Sequence, residues 1–142
     1  MQMNTRYWIG VASRDHVIKG VEGGFAQLCH GKEKPLRKMS AGDWILYYSP
    51  KERLKENIPY QKFTAVGRVV DDNVYQFDMG NGFIPFRRNI MFMNCTETSI
   101  HPLIPSLSFI KNKKRWGHLF RFGHIEINEQ DFKRICNRML IS

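Results

Sequence analysis

RYWIGVASRDHVIKGVEGGFAQLCHGKEKPLRKMSAGDWILYYSP, residues 6–50, sets one apolar run against a second. Between them lie a histidine-bearing turn, a loop of glycines and an aromatic, and a basic stretch. Residues 6–13 are rich in β-branched and aromatic side chains and read as a strand. Asp15 is placed to cap a short helix that runs to about Val21, where Gly23 and Gly24 end it. Gly42 and Asp43 make a turn into residues 43–49, a strand apolar enough to be buried on both faces.

Outward from this stretch the same punctuation continues. Residues 50–62 are charged and read as a surface loop, residues 63–70 as a third strand, and Asp71, Asp72 and Asn73 as a turn into a strand over 74–78. Gly80, Asn81 and Gly82 break the chain before a longer strand over 83–94, where Pro85 suggests an edge or a bulge. Residues 101–107, carrying Pro102 and Pro105, read as a short turn or one helical loop. Near the C-terminus Asn128 caps a helix, and Phe132, Ile135, Cys136, Met139 and Leu140 recur at helical spacing to form one apolar face. Trp8, Trp44, Phe92 and Phe132 are assigned to the core. The fold class is α+β: five or six strands in a small, curved, barrel-like sheet with flanking helices.

At 142 residues, 42% hydrophobic, the chain suits one domain with one core. It holds no run of about 18 apolar residues that would span a bilayer, and its N-terminus lacks a secretory pattern, so a soluble cytoplasmic protein with no membrane partner is expected. Cys29, Cys95 and Cys136 are scattered and lack the paired spacing of zinc or redox sites. No metal or cofactor is expected. Cys29 and His30 are adjacent, and neighbouring side chains on an extended chain diverge, so they do not make a nucleophile and base. There is no phosphate-cradling glycine motif, nucleophile elbow or magnesium-binding acidic cluster, and the carboxylates sit at turns and helix starts. A non-enzyme is expected.

Charge speaks for binding. The chain carries 22 Lys and Arg against 13 Asp and Glu, net +9, and residues 79–125 hold seven of those cations with one acid. A second cluster lies at Lys32, Lys34, Arg37 and Lys38. Such asymmetry attracts polyanions through release of their counterions. A nucleobase is held by stacking on a ring and hydrogen-bonding at its edge, with cations on the flanking phosphates. The chain interleaves those side chains: Phe25 with Gln27 and His30, Tyr47 and Tyr48 with Ser49, Phe86 with Arg87 and Arg88, and Phe109 with Lys111, Arg115 and Trp116. Most of the 18 aromatics must nonetheless be core.

YWIGVAS with RDHV, then GGFAQLCHGK, GDWILYYSP, FTAVGRV, PFRRNIMF, LSFIKNKKRWG and EINEQDF resemble, in that order, the EVE domain, a member of the PUA-like superfamily related to the YTH domain. The resemblance implies a pseudo-barrel with flanking helices and a pocket for a modified base in DNA or RNA. It places Ser13 and His16 at the pocket, His16 where YTH relatives commonly carry a base-bonding asparagine. Phe25, Ala26 and Gln27 fall where those relatives place their first cage tryptophan, which this chain lacks; Gln27 and His30 are suited to a cytosine-like edge instead. Tyr48 and Ser49 are favoured as pocket lining and Tyr47 as core. Phe86, Phe109 and Trp116 complete the candidate base site, and Lys32, Arg87, Arg88, Lys111, Lys113, Lys114 and Arg115 are the candidate phosphate contacts.

Two function classes follow besides a non-catalytic reader of a modified or flipped base. One is an enzyme on a nucleotide or small acidic metabolite with His16 or His30 as base. The other is a protein-interaction module whose basic face meets an acidic partner.

Overall fold

The computed structural model describes residues 4–140. Its frame is the pair of apolar runs that bracket the opening stretch: β1 (Tyr7–Val11) and β3 (Trp44–Lys51) lie side by side and parallel, with Ile9 opposite Leu46 and Val11 opposite Tyr48. A parallel pair needs a crossover. The intervening chain supplies it as α1 (Arg14–Gly23), the two-residue β2 (Phe25–Ala26) and α2 (Glu33–Lys38). Gly24 closes α1 in the left-handed conformation, as the glycine pair predicts.

The remaining strands are β4 (Pro59–Gln76), β5 (Phe86–Phe92), β6 (Thr98–Ser99) and β7 (His124–Ile127), and the chain ends in α3 (Glu129–Met139). The sheet runs β2-β5-β4-β3-β1-β7, with β6 added on the first half of β4. The fold is α+β as expected, but the sheet has seven strands and stays open, whereas five or six in a barrel-like closure were expected.

Side chains along β3 alternate between two cores. Leu46 and Tyr48 join Ile9, Phe63 and Val66 on one face, beneath Phe132, Ile135 and Met139 of α3. Ile45 and Tyr47 join Trp8, Val69 and Ile90 on the other, beneath Val17 of α1 and Leu36 of α2. Both tyrosines are therefore buried, and Tyr48 leaves the pocket role assigned to it. Of the other rings assigned to the core, Trp8 and Phe132 are buried, and Trp44 and Phe92 are half-buried. Cys136 is a core thiol whose burial pushes its pKa up to about 12. Leu140, by contrast, is exposed.

Several boundaries differ from the sequence reading. β4 is a continuous strand of 18 residues, and the Asp71–Asn73 turn signal forms a register shift between Val69 and Val74 instead of a hairpin. The hairpin lies later, where Gly80, Asn81 and Gly82 all have positive φ, and it shortens β5 at its start. The loop over 50–62 gives up both its ends to β3 and β4. Asn128 does cap α3, accepting from the Asp131 N–H at 2.8 Å. The Asp131 carboxylate turns away to accept from the Ser108 and Phe109 main chain and from Ser108 Oγ. Burial opposes its charge, but those bonds and Arg134 hold its pKa below the ordinary range.

Arg88 accounts for the bend in β4. Only 2% exposed, it donates through Nη1 to Leu36 O (2.7 Å) and Met39 O, and through Nε and Nη2 to Asp71 O (3.1 and 2.7 Å). Its one carboxylate partner among the described residues, Asp72, is 84% exposed. Arg88 is thus an internal strut, not a phosphate contact. Replacing it by Met orphans three main-chain carbonyls and is expected to cost about 3–5 kcal/mol of unfolding free energy in denaturant titration, against under about 1 kcal/mol for Asp72→Ala.

Candidate functional site

The C-terminal ends of the parallel strands β1 and β3 open into a cleft of about 840 Å³. That is the size of a small-molecule site, in the position where parallel strands usually offer one. Val11 and Ala12 lead into it from β1, Pro50 and Lys51 from β3. Ser13 and His16 come from the start of α1, and Gln27 from the end of β2. The far side is the 3-10 turn His118–Phe122 with His124 of β7.

The loop between β2 and α2 shapes the near wall. Cys29, His30 and Gly31 have consecutive positive φ values of 50°, 62° and 84°, and Leu28 O accepts from both Gly31 N and Lys32 N. Gly31 is required here, since a Cβ would collide with Pro85. This tight turn exposes His30 and Lys32 and starts α2, which adds Lys34 and Lys38. Burial raises the pKa of the neighbouring Cys29 thiol, so it stays protonated.

The rim is uniformly positive. Lys32, Lys34, Lys38, Lys51 and Arg121 line the cleft, and among the described residues no Asp or Glu does. The wall between them mixes apolar side chains, among them Val11, Leu54, Phe83 and Phe120, with Ser13, His16, Gln27 and His30. His16 Nε2 lies 3.2 Å from the Gln27 main-chain oxygen, and burial lowers the imidazole pKa. Ser13 Oγ donates to Asp15 Oδ1, which is also bonded to the His16 N–H.

Of the residues chosen from sequence, Ser13, His16, Gln27, His30 and Lys32 come together in the cleft. The others do not. Ala26 is fully buried in the second core, and Phe86 packs on that core. Ser49 is sealed in a hydrogen bond with Thr64. Tyr48 stacks on Phe120 at 4.2 Å, while Phe109 and Trp116 meet the same ring edge-on at 6.2 and 6.5 Å. These three lie behind Phe120, and it is Phe120 that lines the cleft. Lys111, Lys113, Lys114 and Arg115 are exposed but outside it; Lys111 lies on a separate groove beside Phe109, and Lys113 donates to Leu107 O.

Arg87 is also not at the rim. It is 7% exposed, with its guanidinium carbon 3.8 Å from the centre of the Phe25 ring and 4.0 Å from that of Phe77. Its Nε donates to Gln27 Oε1 at 3.1 Å. Phe25 therefore holds Arg87 instead of facing a ligand.

Sequence reasoning missed Phe83, Phe120, Phe122, Lys51 and His124 as cleft residues. The signal for His124 was there in part: FRFGH interleaves aromatic and basic residues as the chosen segments do. His124 stacks on Trp8 at 4.6 Å, nearly parallel, and both of its ring nitrogens are buried without a hydrogen-bond partner among the described residues. Desolvation lowers its pKa to about 4.

Comparison with known proteins gives a family and a fold. A family model described as "EVE domain" matches residues 6–138. The chain is 66% identical over 128 residues to the "UPF0310 protein in gntR 5'region" of Bacillus licheniformis, covering 90% of this chain and 87% of that protein. It is 46% identical to the UPF0310 protein YdcG of Bacillus subtilis, covering 96% and 94%. Among solved structures, a hypothetical protein from Leishmania major superposes with a TM-score of 0.56 at 12% identity, covering 94% of each chain. A Pseudomonas syringae protein does so with 0.56 at 13%, covering 92% and 97%. At such identities these two show a shared fold alone.

The buried imidazole makes a pH signature. Since its folded pKa lies below the ordinary 6.5, the folded protein binds fewer protons than the unfolded chain between pH 6.5 and 4. Stability is expected to fall as pH drops through that window, by up to about 3 kcal/mol. His124→Phe keeps the stack on Trp8 and removes the orphaned nitrogens. Denaturant unfolding at pH 7 and pH 4.5 should show a smaller acid loss in this variant than in the wild type.

Proposed function

The chain belongs to the EVE domain family, and from that premise we propose that it is a non-catalytic nucleic-acid-binding module that takes one modified or flipped base into the cleft. One observation carries this reading: among the described residues five cations and no carboxylate border a wall in which hydrogen-bonding side chains stand among apolar ones. A polyanion with an uncharged, flat, polar-edged unit is the ligand that complements both parts at once. The rim draws the backbone of DNA or RNA, and Ser13, His16, Gln27 and His30 meet the base edge. Phe122, 66% exposed beside the cleft, offers a ring for a neighbouring base. Lys111, Lys114 and Arg115 add longer-range attraction from outside the cleft.

Among the described residues the cleft lining offers no carboxylate for acid and base work, and its cysteine is held as the thiol by burial. The three free cysteines suit the reducing cytoplasm, where such a reader would meet nucleic acid.

A flipped base costs a few kcal/mol to extract from a duplex, so single-stranded oligonucleotides should bind at least as well as duplexes. Fluorescence anisotropy across a salt series is expected to show affinity falling steeply, and Lys34→Ala or Lys38→Ala should each reduce the log–log slope by about 1. His16→Ala should change preference among oligonucleotides differing in one central base and leave that slope alone. Affinity independent of salt, or no binding to any oligonucleotide at low salt, would overturn the reading.

A further inference from the structure

Two hydrogen bonds inside the cleft wall fix the direction in which its polar atoms face. Arg87 carries only donors, so the Gln27 amide that receives its Nε bond turns its carbonyl oxygen to the guanidinium. The Gln27 Nε2 is left as a donor with no partner among the described residues, on a side chain that lines the cleft. His16 is fixed in the same way. Its Nε2 faces the Gln27 main-chain oxygen, which can only accept, so Nε2 holds the proton. Burial keeps the ring neutral, and a neutral imidazole protonated at Nε2 presents a bare Nδ1.

Arg87 is itself unusual. It is more than nine-tenths buried, no carboxylate lies within ion-pair distance among the described residues, and its charge rests between two phenyl faces. Among those residues its hydrogen bond to another side chain is the one to Gln27. An arginine so placed cannot swing out to the rim without unstacking both rings.

We propose that Arg87 is a positioning residue acting through Gln27: it sets the wall as a donor at Gln27 Nε2 beside an acceptor at His16 Nδ1, so that the base taken in presents an acceptor to Gln27 and a donor to His16. This rests on the base-capture reading above and states how the wall reads a base: through an acceptor beside a donor on its pairing edge. Each base carries such a pair, ring N3 and the amine in cytosine, N1 and the amine in adenine, O6 and N1–H in guanine, O4 and N3–H in thymine, so the base that fits best is set by shape as well. Modification away from that edge, at C5 of a pyrimidine for example, leaves the pattern intact. Alkylation of the acceptor nitrogen removes it.

The probes are single-stranded 12-mers identical except at the centre, which carries each of the four bases, 5-methylcytosine or an abasic spacer. The tightest binder is then compared with its counterpart in which the acceptor ring nitrogen of the pairing edge is replaced by C–H, or, where the acceptor is a carbonyl oxygen, that oxygen is removed. Wild-type protein is expected to lose on the order of 10-fold or more with the acceptor-less base, because a buried donor is left unpaired. Gln27→Glu keeps the bond to Arg87 but replaces the donor by an acceptor, and should abolish that discrimination. Arg87→Met should reduce it to under about 3-fold with an unchanged salt slope, and Arg87→Lys, which restores a cation and a donor between the rings, should recover part of it.

Equal binding of base-bearing and abasic probes would defeat base capture, and the proposal with it. A preference for bases that ignores the edge acceptor would defeat the proposal and leave base capture standing. A salt slope lowered by about 1 in Arg87→Met, with discrimination intact, would make Arg87 a phosphate contact and also overturn it. Thermal melts establish that each variant is folded, and should Arg87→Met not fold, Gln27→Glu decides alone.

Discussion

A single buried guanidinium holds three parts of this fold in register. Arg88 leaves β5, crosses under α2 to reach the carbonyls of Leu36 and Met39, and returns to the Asp71 carbonyl at the bend of β4. A cation in the interior must be solvated by the protein itself, and main-chain oxygens do that here in place of a buried acid. Their geometry is demanding. The end of α2 can sit in few places that satisfy those donors, and α2 carries Lys34 and Lys38 of the cleft rim. Charge placement at the surface is thus set from inside.

A second constraint is that both faces of the sheet are covered at its centre. With α3 packed on one side and α1 and α2 on the other, the central strands β1 and β3 have no free face to offer a ligand. What is left is the end of the parallel pair, where β1 and β3 stop and their connections diverge. Most of the rings belong to the two cores, and the polar groups and cations gather at the strand ends. The site is therefore a cation-rimmed cleft of mixed polar and apolar lining with a few bordering rings, not a cage of aromatics.

The architecture was legible wherever a periodic pattern met a cap. Ile9, Leu46 and Tyr47 sit in runs too apolar for a one-sided strand, and Asn128 with Phe132, Ile135 and Met139 announces α3 residue by residue. By contrast α2 was hidden, because Pro35 and the surrounding lysines look like an irregular charged stretch; a proline in the first turn sacrifices no helical bond. Asp71–Asn73 has turn composition, but Arg88 captures its first carbonyl and turns it into a bulge, a long-range effect invisible to a local window. Arg87 and Arg88 are neighbours of the same type. Strand alternation sends one between two phenyl rings and the other beneath a helix, and no composition rule separates them. The candidate site was legible in Ser13, His16, Gln27, His30 and Lys32, and illegible in His124, whose partner Trp8 lies more than a hundred residues away.

The strands that end the sheet are short: β2 and β6 span two residues each and β7 four. An approaching extended chain finds only a handful of main-chain groups along each of them, too few to template its own pairing. Fibril seeding by edge-to-edge stacking is disfavoured for that reason. The molecule gains this resistance from its topology alone, without devoting any of its lysines to guarding a border.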